Sequence, residues 1–134
     1  MSKSIEDIRE RYINFMHWDK DSVDIKLISI SGEYAYFQNL YYETSKKLTT
    51  AQHAHDELWQ GKYKQYKFEF DISLTHNEIK TFLEKDNDLL AKLVEVKKLR
   101  DLANFLEECL KNINQLRWDI KSFIDWKKFQ AGLN

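Results

Sequence analysis

Lys62, Lys64 and Lys67 are interleaved with Trp59, Tyr63, Tyr66, Phe68 and Phe70 in the stretch WQGKYKQYKFEF. Lysine ammonium groups displace counterions from phosphates. Accessible rings stack unpaired bases, at ~1–3 kcal/mol per base, with little sequence preference. The pattern therefore suits a grip on single-stranded nucleic acid, with Trp59, Tyr63 and Tyr66 as the stacking candidates. It also suits the edge of a core, with Phe68 and Phe70 turned inward and the lysines keeping the edge soluble. Lys46 and Lys47, an adjacent pair upstream, are a solvated helix face by default and further phosphate contacts on the first reading. The C-terminal stretch WKKFQAG mixes bases and aromatics again; there the simpler reading is a helix end whose lysines offset the dipole.

Other chemistries lack their residues. The chain holds no glycine-rich phosphate loop, nucleophile elbow or paired-cysteine metal spacing, so no catalytic residue, metal or cofactor is expected. His53 and His55 invite a metal reading. Positions two apart on a helix point about 200° away from each other, however, so the pair cannot chelate one ion. His55 falls on an apolar seam and reads as a packed or hydrogen-bonded residue. Cys109 also falls on a seam and reads as a small core side chain.

The elements that must carry these residues are long. Ser4 and Asp7 signal a helix start, and Ile5, Ile8, Tyr12, Phe15 and Met16 share one face to about His17 or Trp18. The cluster DKDS at 19–22 breaks that helix and caps the next. From Ser22 to Gln60 a seam advances in steps of three and four through Leu27, Ile30, Tyr34, Phe37, Tyr41, Thr44, Leu48, Ala51, His55 and Leu58. Its front, DIKLISIS, also alternates like a strand. Gly61 predicts the helix end. Residues 67–74 alternate, with Phe68, Phe70, Ile72 and Leu74 opposite Lys67, Glu69, Asp71 and Ser73. This predicts a short strand with one buried face. Thr75 and Glu78 form a capping-box signature before Ile79, Phe82 and Leu83. Asp86 or Asn87 then caps a last helix of about 40 residues. Its seam runs unbroken through Leu99, Leu102, Leu106, Cys109, Ile113, Leu116, Ile120 and Phe123. Leu110, Ile124, Trp126 and Phe129 add a second stripe. Two stripes on a short chain point to self-association, with Leu99, Leu102, Leu106, Ile113, Leu116, Ile120 and Phe123 as the expected oligomer interface.

A chain of 134 residues without proline, and with only three glycines, fits one mostly α domain. The fold class is a helical bundle or coiled-coil oligomer with at most the short strand near 67–74. Residues 1–74 form the expected DNA-binding half and 75–134 the expected oligomerisation half. Lys46, Lys47, Lys62, Lys64 and Lys67 against Asp56, Glu57 and Glu69 give residues 45–70 a balance of +2. Lys111, Arg117, Lys121, Lys127 and Lys128 against Asp119 and Asp125 give residues 109–134 a balance of +3. The segments between are acidic, and the whole chain carries −1. Neither basic zone alone matches a tight monomeric DNA binder; repetition in an oligomer would multiply a weak patch. No apolar run is long enough to span a membrane. The start MSKSIEDIRE lacks the apolar stretch of a secretory signal, and a lone cysteine suits a reducing cytoplasm.

Three segments in this order resemble the UvsY-type phage recombination mediators. They are LWQGKY at 58–63, EIKTFLEKDNDLLAK at 78–92 and FLEECLKNINQLRWDIKSFIDWKKFQAG at 105–132. The resemblance implies a non-enzymatic accessory protein of the infected bacterial cytoplasm, a ring-like homo-oligomer such as a hexamer or heptamer. It implies binding of single-stranded DNA and loading of a RecA-like phage recombinase onto strands coated by the phage single-stranded-DNA-binding protein. It also implies basic side chains just before the aromatic–glycine turn, which here fall on His53 and His55. Histidine is mostly uncharged at neutral pH, so Lys62, Lys64 and Lys67 would carry that role. The competing class is a helical adaptor acting only through protein–protein contacts.

Overall fold

The computed structural model describes residues 4–70 and 72–132. Nearly all of them are helical: α1 (Ile5–Met16), a 3₁₀ turn (Lys20–Ser22), α2 (Val23–Phe68), α3 (His76–Glu84) and α4 (Asn87–Gln130). The starts are set by side-chain caps. Ser4 Oγ accepts from Asp7 N at α1, and Asp19 Oδ1 accepts from Asp21 N at the 3₁₀ turn. Thr75 and Glu78 exchange the two bonds of a full capping box at α3. Asp86 Oδ1 accepts from Leu89 N at the start of α4.

The chain divides into two compact units, Met1–Tyr42 with Asn104–Asn134, and Glu43–Ala103. In the first unit, Ile8, Ile30, Phe37, Leu106, Cys109, Ile113, Leu116 and Ile120 are buried. Tyr12 of α1 meets Phe37 and Phe105 edge to face, and its hydroxyl accepts from Asn112 Nδ2 at 2.8 Å. Burial pushes the Cys109 thiol up to about 12, which keeps it protonated and unreactive. Polar ties fix α1 against α2. Arg11 grips Glu33 with two bonds, the shorter 2.6 Å, and its guanidinium lies 3.5 Å from the centre of the Tyr36 ring. Lys26 Nζ donates to the Phe15 carbonyl at 2.8 Å, occupying an acceptor that the end of α1 leaves open.

In the second unit, Ile79 and Leu83 of α3 and Leu89 of α4 form a buried cluster. Leu58, Trp59, Tyr63, Tyr66 and Leu74 pack against it.

Two expectations are corrected here, and an ambiguity is resolved. Gly61 does not end α2, which continues to Phe68. Glycine in mid-helix costs about 1 kcal/mol, whereas Trp59, Tyr63 and Tyr66, at helical spacing across it, all gain cover from α3. Residues 67–74 form no strand: Lys67 and Phe68 are helical, and Glu69, Phe70 and Ile72 lie in bends. Phe68, Phe70 and Ile72 stay 72%, 55% and 75% exposed, so the alternation has no buried face. Asp71, on the polar side of that alternation, lies outside the described residues. DIKLISIS is helical too, and its seam members Ile30 and Leu27 face inward while Ile25 and Ile28 are exposed.

Two stability outcomes follow. Arg11→Ala or Glu33→Ala should cost about 1–2 kcal/mol, a charged hydrogen bond discounted for partial exposure; chemical denaturation with an unchanged slope checks it. A methyl group added at Gly61 meets nothing within 4 Å. Gly61→Ala should therefore raise stability by about 0.5–1 kcal/mol, seen as a higher thermal midpoint.

Candidate nucleic-acid interface

Within the second unit the cations gather in two open grooves where α2 and α4 meet. The first, of about 610 Å³, is rimmed by Lys46 and Lys47 from α2 and Lys92 and Lys98 from α4. Glu95 is the one carboxylate among its lining residues. Thr50, Ala51 and Ala54 make the α2 side of its floor. These small side chains leave the space between the helices open below the ammonium groups. Lys92 and Glu95 approach only to 4.0 Å with both side chains largely exposed, an ion pair worth little. The second groove, of about 480 Å³, brings His53, His55 and Asp56 of α2 to Val96 and Arg100 of α4. His55 Nδ1 lies 3.3 Å from Asp56 Oδ1. Among the described residues no three His, Cys, Asp or Glu side chains are placed to hold a metal ion. No helix among them is long and apolar enough to cross a membrane.

The other expected contacts lie elsewhere. Lys62 is held by two carboxylates, Asp86 at 2.7 Å and Asp88 at 2.9 Å, and its side chain is largely covered. It joins α2 to the start of α4 rather than standing ready for a phosphate. Its hydrogen bond to Asp86, then that to Asp88, raises the Lys62 pKa above the ordinary lysine value. The Lys62 bond, then the Leu89 N–H, holds Asp86 below the usual carboxylate range. Lys64 and Lys67 are exposed. Lys64 is some 17 residues from Lys47, about 25 Å along a helix, so the lysines of α2 do not form one patch.

The rings are largely spent on packing. Trp59 stacks on Tyr63 at 5.3 Å, and the Tyr63 hydroxyl sits 2.6 Å from His76 Nδ1. Tyr66 lies between Phe70 at 5.0 Å and Phe82 at 5.5 Å, both nearly parallel to it. The outer rings of this stack, Phe70 and Phe82, are about half exposed. A base has more room there than on Tyr66.

The residues of the expected oligomer interface differ in how far the single chain covers them. Leu106, Ile113, Leu116 and Ile120 are at most 3% exposed in the single chain. The chain's own helices already cover this part of the seam. Leu99, Leu102 and Phe123 are half-buried.

Sequence reasoning missed Lys92, Lys98 and Arg100 as members of the site. Only the folding-back of α4 along α2 places them beside Lys46, Lys47 and the histidines. No local signal marks them.

Cations from two helices lining open grooves are what a polyanion-binding helical protein requires. Residues 12–133 match the family described as "Recombination, repair and ssDNA binding protein UvsY", and the chain belongs to that family. It is similar in fold to crystal structures of the bacteriophage T4 recombination mediator protein UvsY, at 18% sequence identity. Lattice type II gives a TM-score of 0.86 over 97% of this chain and 99% of that one. Type IV gives 0.85 over 96% and 99%, and type I gives 0.83 over 92% and 98%. No curated protein matches the chain significantly in sequence.

The Lys62 ion pair sets a pH window for the second unit. A depressed Asp86 contributes stability above the ordinary carboxylate pKa of about 3.9, lost as pH falls through its folded value. A raised Lys62 contributes below its ordinary value of about 10.4, and that is lost as pH rises through the folded one. Asp86→Asn keeps a capping oxygen but removes the charge. It should melt below wild type at pH 7, with the gap closing under about pH 4. A gap of constant size down to strong acid would sink the ion-pair explanation.

Proposed function

We propose that this protein binds single-stranded DNA through the lysine-rimmed groove of its second unit and acts as a recombination mediator. The carrying observation is that groove itself: four ammonium groups from two helices, with one carboxylate among them. Its affinity per chain is modest, because few phosphates are contacted. Assembly into a ring-like homo-oligomer repeats the groove and converts weak contacts into avidity. With the α4 seam buried inside the chain, copies would meet through exposed apolar side chains such as Leu90, Leu93 and Val94. Arg100 extends the basic surface, and Phe70 and Phe82 offer ring faces to bases. A strand held extended in this way would be presented to a RecA-like recombinase as the single-stranded-DNA-binding protein is displaced. No catalytic step belongs to this role, which lies in the cytoplasm of the infected cell.

A salt series of binding to a fluorescent single-stranded oligonucleotide, run beside light scattering, tests the reading. Wild type should weaken steeply with salt. Lys46→Ala/Lys47→Ala/Lys98→Ala should lower the log–log slope by about 2, at ~0.7 per phosphate, without changing particle mass. A wild-type protein with no salt-dependent binding would leave only the protein–protein adaptor reading.

A further inference from the structure

Charged residues make up 32% of the chain, yet residues 25–42 of α2 hold only Lys26 and Glu33. Both are engaged by α1 within the first unit. Lys26 Nζ donates to the Phe15 carbonyl at 2.8 Å, and Glu33 takes the Arg11 guanidinium with its own side chain 15% exposed. The outer face of this stretch therefore carries no charge. Ile25, Ile28, Gly32, Ala35, Asn39 and Tyr42 make it, all exposed, in steps of three and four opposite the buried line of Ile30 and Phe37. Ile25 and Ile28 are 74% and 81% exposed. Nothing lies within 4 Å of the place a Cβ on Gly32 would take. Such stepping is the seam that one helix presents to another.

The chemistry of the face narrows its occupant. A nucleic acid needs cations, and the face has none. A bilayer surface favours lysine or arginine beside the apolar stripe, whereas Ser29, Ser31 and Gln38 flank this one. The Ser29 hydroxyl already donates to the Lys26 carbonyl at 2.7 Å, so it can be covered at little cost. A charged protein surface would lose water from its charges and meet no partner. A second uncharged helix face fits, and the chain itself supplies one. The steps read 3-4-3-4-3 from either end, so the stripe matches itself about a two-fold axis. Gly32 and Ala35 hold its middle and let two backbones approach there. Asn39 is the one amide in the stripe, and a lone asparagine in such a seam fixes register at a cost in stability.

We infer that residues 25–42 of α2 are a docking face for the same face of a second copy of this chain. A contact of this kind joins chains in pairs. It goes beyond the assembly proposed above, adding to the contact that closes a ring rather than replacing it. About five turns of one helix offer less than the ~800 Å² per partner of a standard interface. The pair is therefore weak alone and gains from multiplicity.

The test uses the full chain with Ala35→Cys at the middle of the stripe. Cys109 is buried, so the new thiol is the reactive one. Mild oxidation should give a disulfide dimer that reductant reverses. Ile28→Glu or Ile25→Glu in the same chain should each lower the dimer yield about tenfold or more, since pairing would bury two like charges. Circular dichroism should show unchanged helicity, because both isoleucines are exposed. Lys111→Cys, exposed on α4, is the collision control and should give little dimer. No dimer from Ala35→Cys, an equal yield from Lys111→Cys, or a yield untouched by both glutamates would overturn the pairing. The oligonucleotide salt series separates this from the mediator reading, and Ile28→Glu should keep the wild-type slope. Cross-linking without any wild-type DNA binding would remove that reading and leave the pairing. DNA binding without cross-linking would do the reverse.

Discussion

A helix of 46 residues and one of 44 set one requirement before any other: each needs an apolar line covered along its length. Isolated helices are marginal in water, and packing supplies most of their stability. In the first unit the cover includes α1, through Ile8, Tyr12 and the Arg11–Glu33 clasp. In the second it is α3, through Ile79 and Leu83. The two short helices are therefore not accessories. Each is the lid that makes a stretch of α2 and α4 worth forming, and the capping groups at Ser4, Thr75 and Asp86 fix where those lids begin.

That requirement explains which parts of the fold are legible in the sequence. The seams are, because their residues repeat at the helical period and end up buried or half-buried, from Ile30 and Phe37 to Ile113 and Ile120. The caps are also legible, because a hydroxyl or carboxylate three residues before a free N–H acts locally. Gly61 and residues 67–74 mislead for a shared reason. Their local preference is real, but Trp59, Tyr63 and Tyr66 gain more by extending α2 onto α3 than glycine loses. The candidate site is the least legible part. Lys46 and Lys47 are visible as a pair, whereas Lys92, Lys98 and Arg100 become their neighbours only after α4 folds back. Lys62 has the residue type of a phosphate contact and the position of a structural clamp.

The charge distribution has a related logic. An overall charge of −1 hides basic zones that the fold concentrates into grooves, with the carboxylates of 71–108 turned partly to internal use, as at Asp86. A surface of this kind holds a polyanion weakly at each point. Weak, salt-sensitive contact suits a protein of a recombination, repair and single-stranded-DNA-binding family.

The two units also differ in how the chain builds them. Glu43–Ala103 is one continuous stretch, whereas the other unit joins the first part of the chain to the last. The hydrogen bond from Asn112 to Tyr12 joins residues 100 apart in sequence. Closing so long a loop from a disordered chain carries a large entropic cost. Once residues 43–103 have formed their hairpin of helices, its ends are already near each other, and most of that cost has been met. On loop-closure grounds, contacts within residues 43–103 therefore precede those that join the two ends of the other unit.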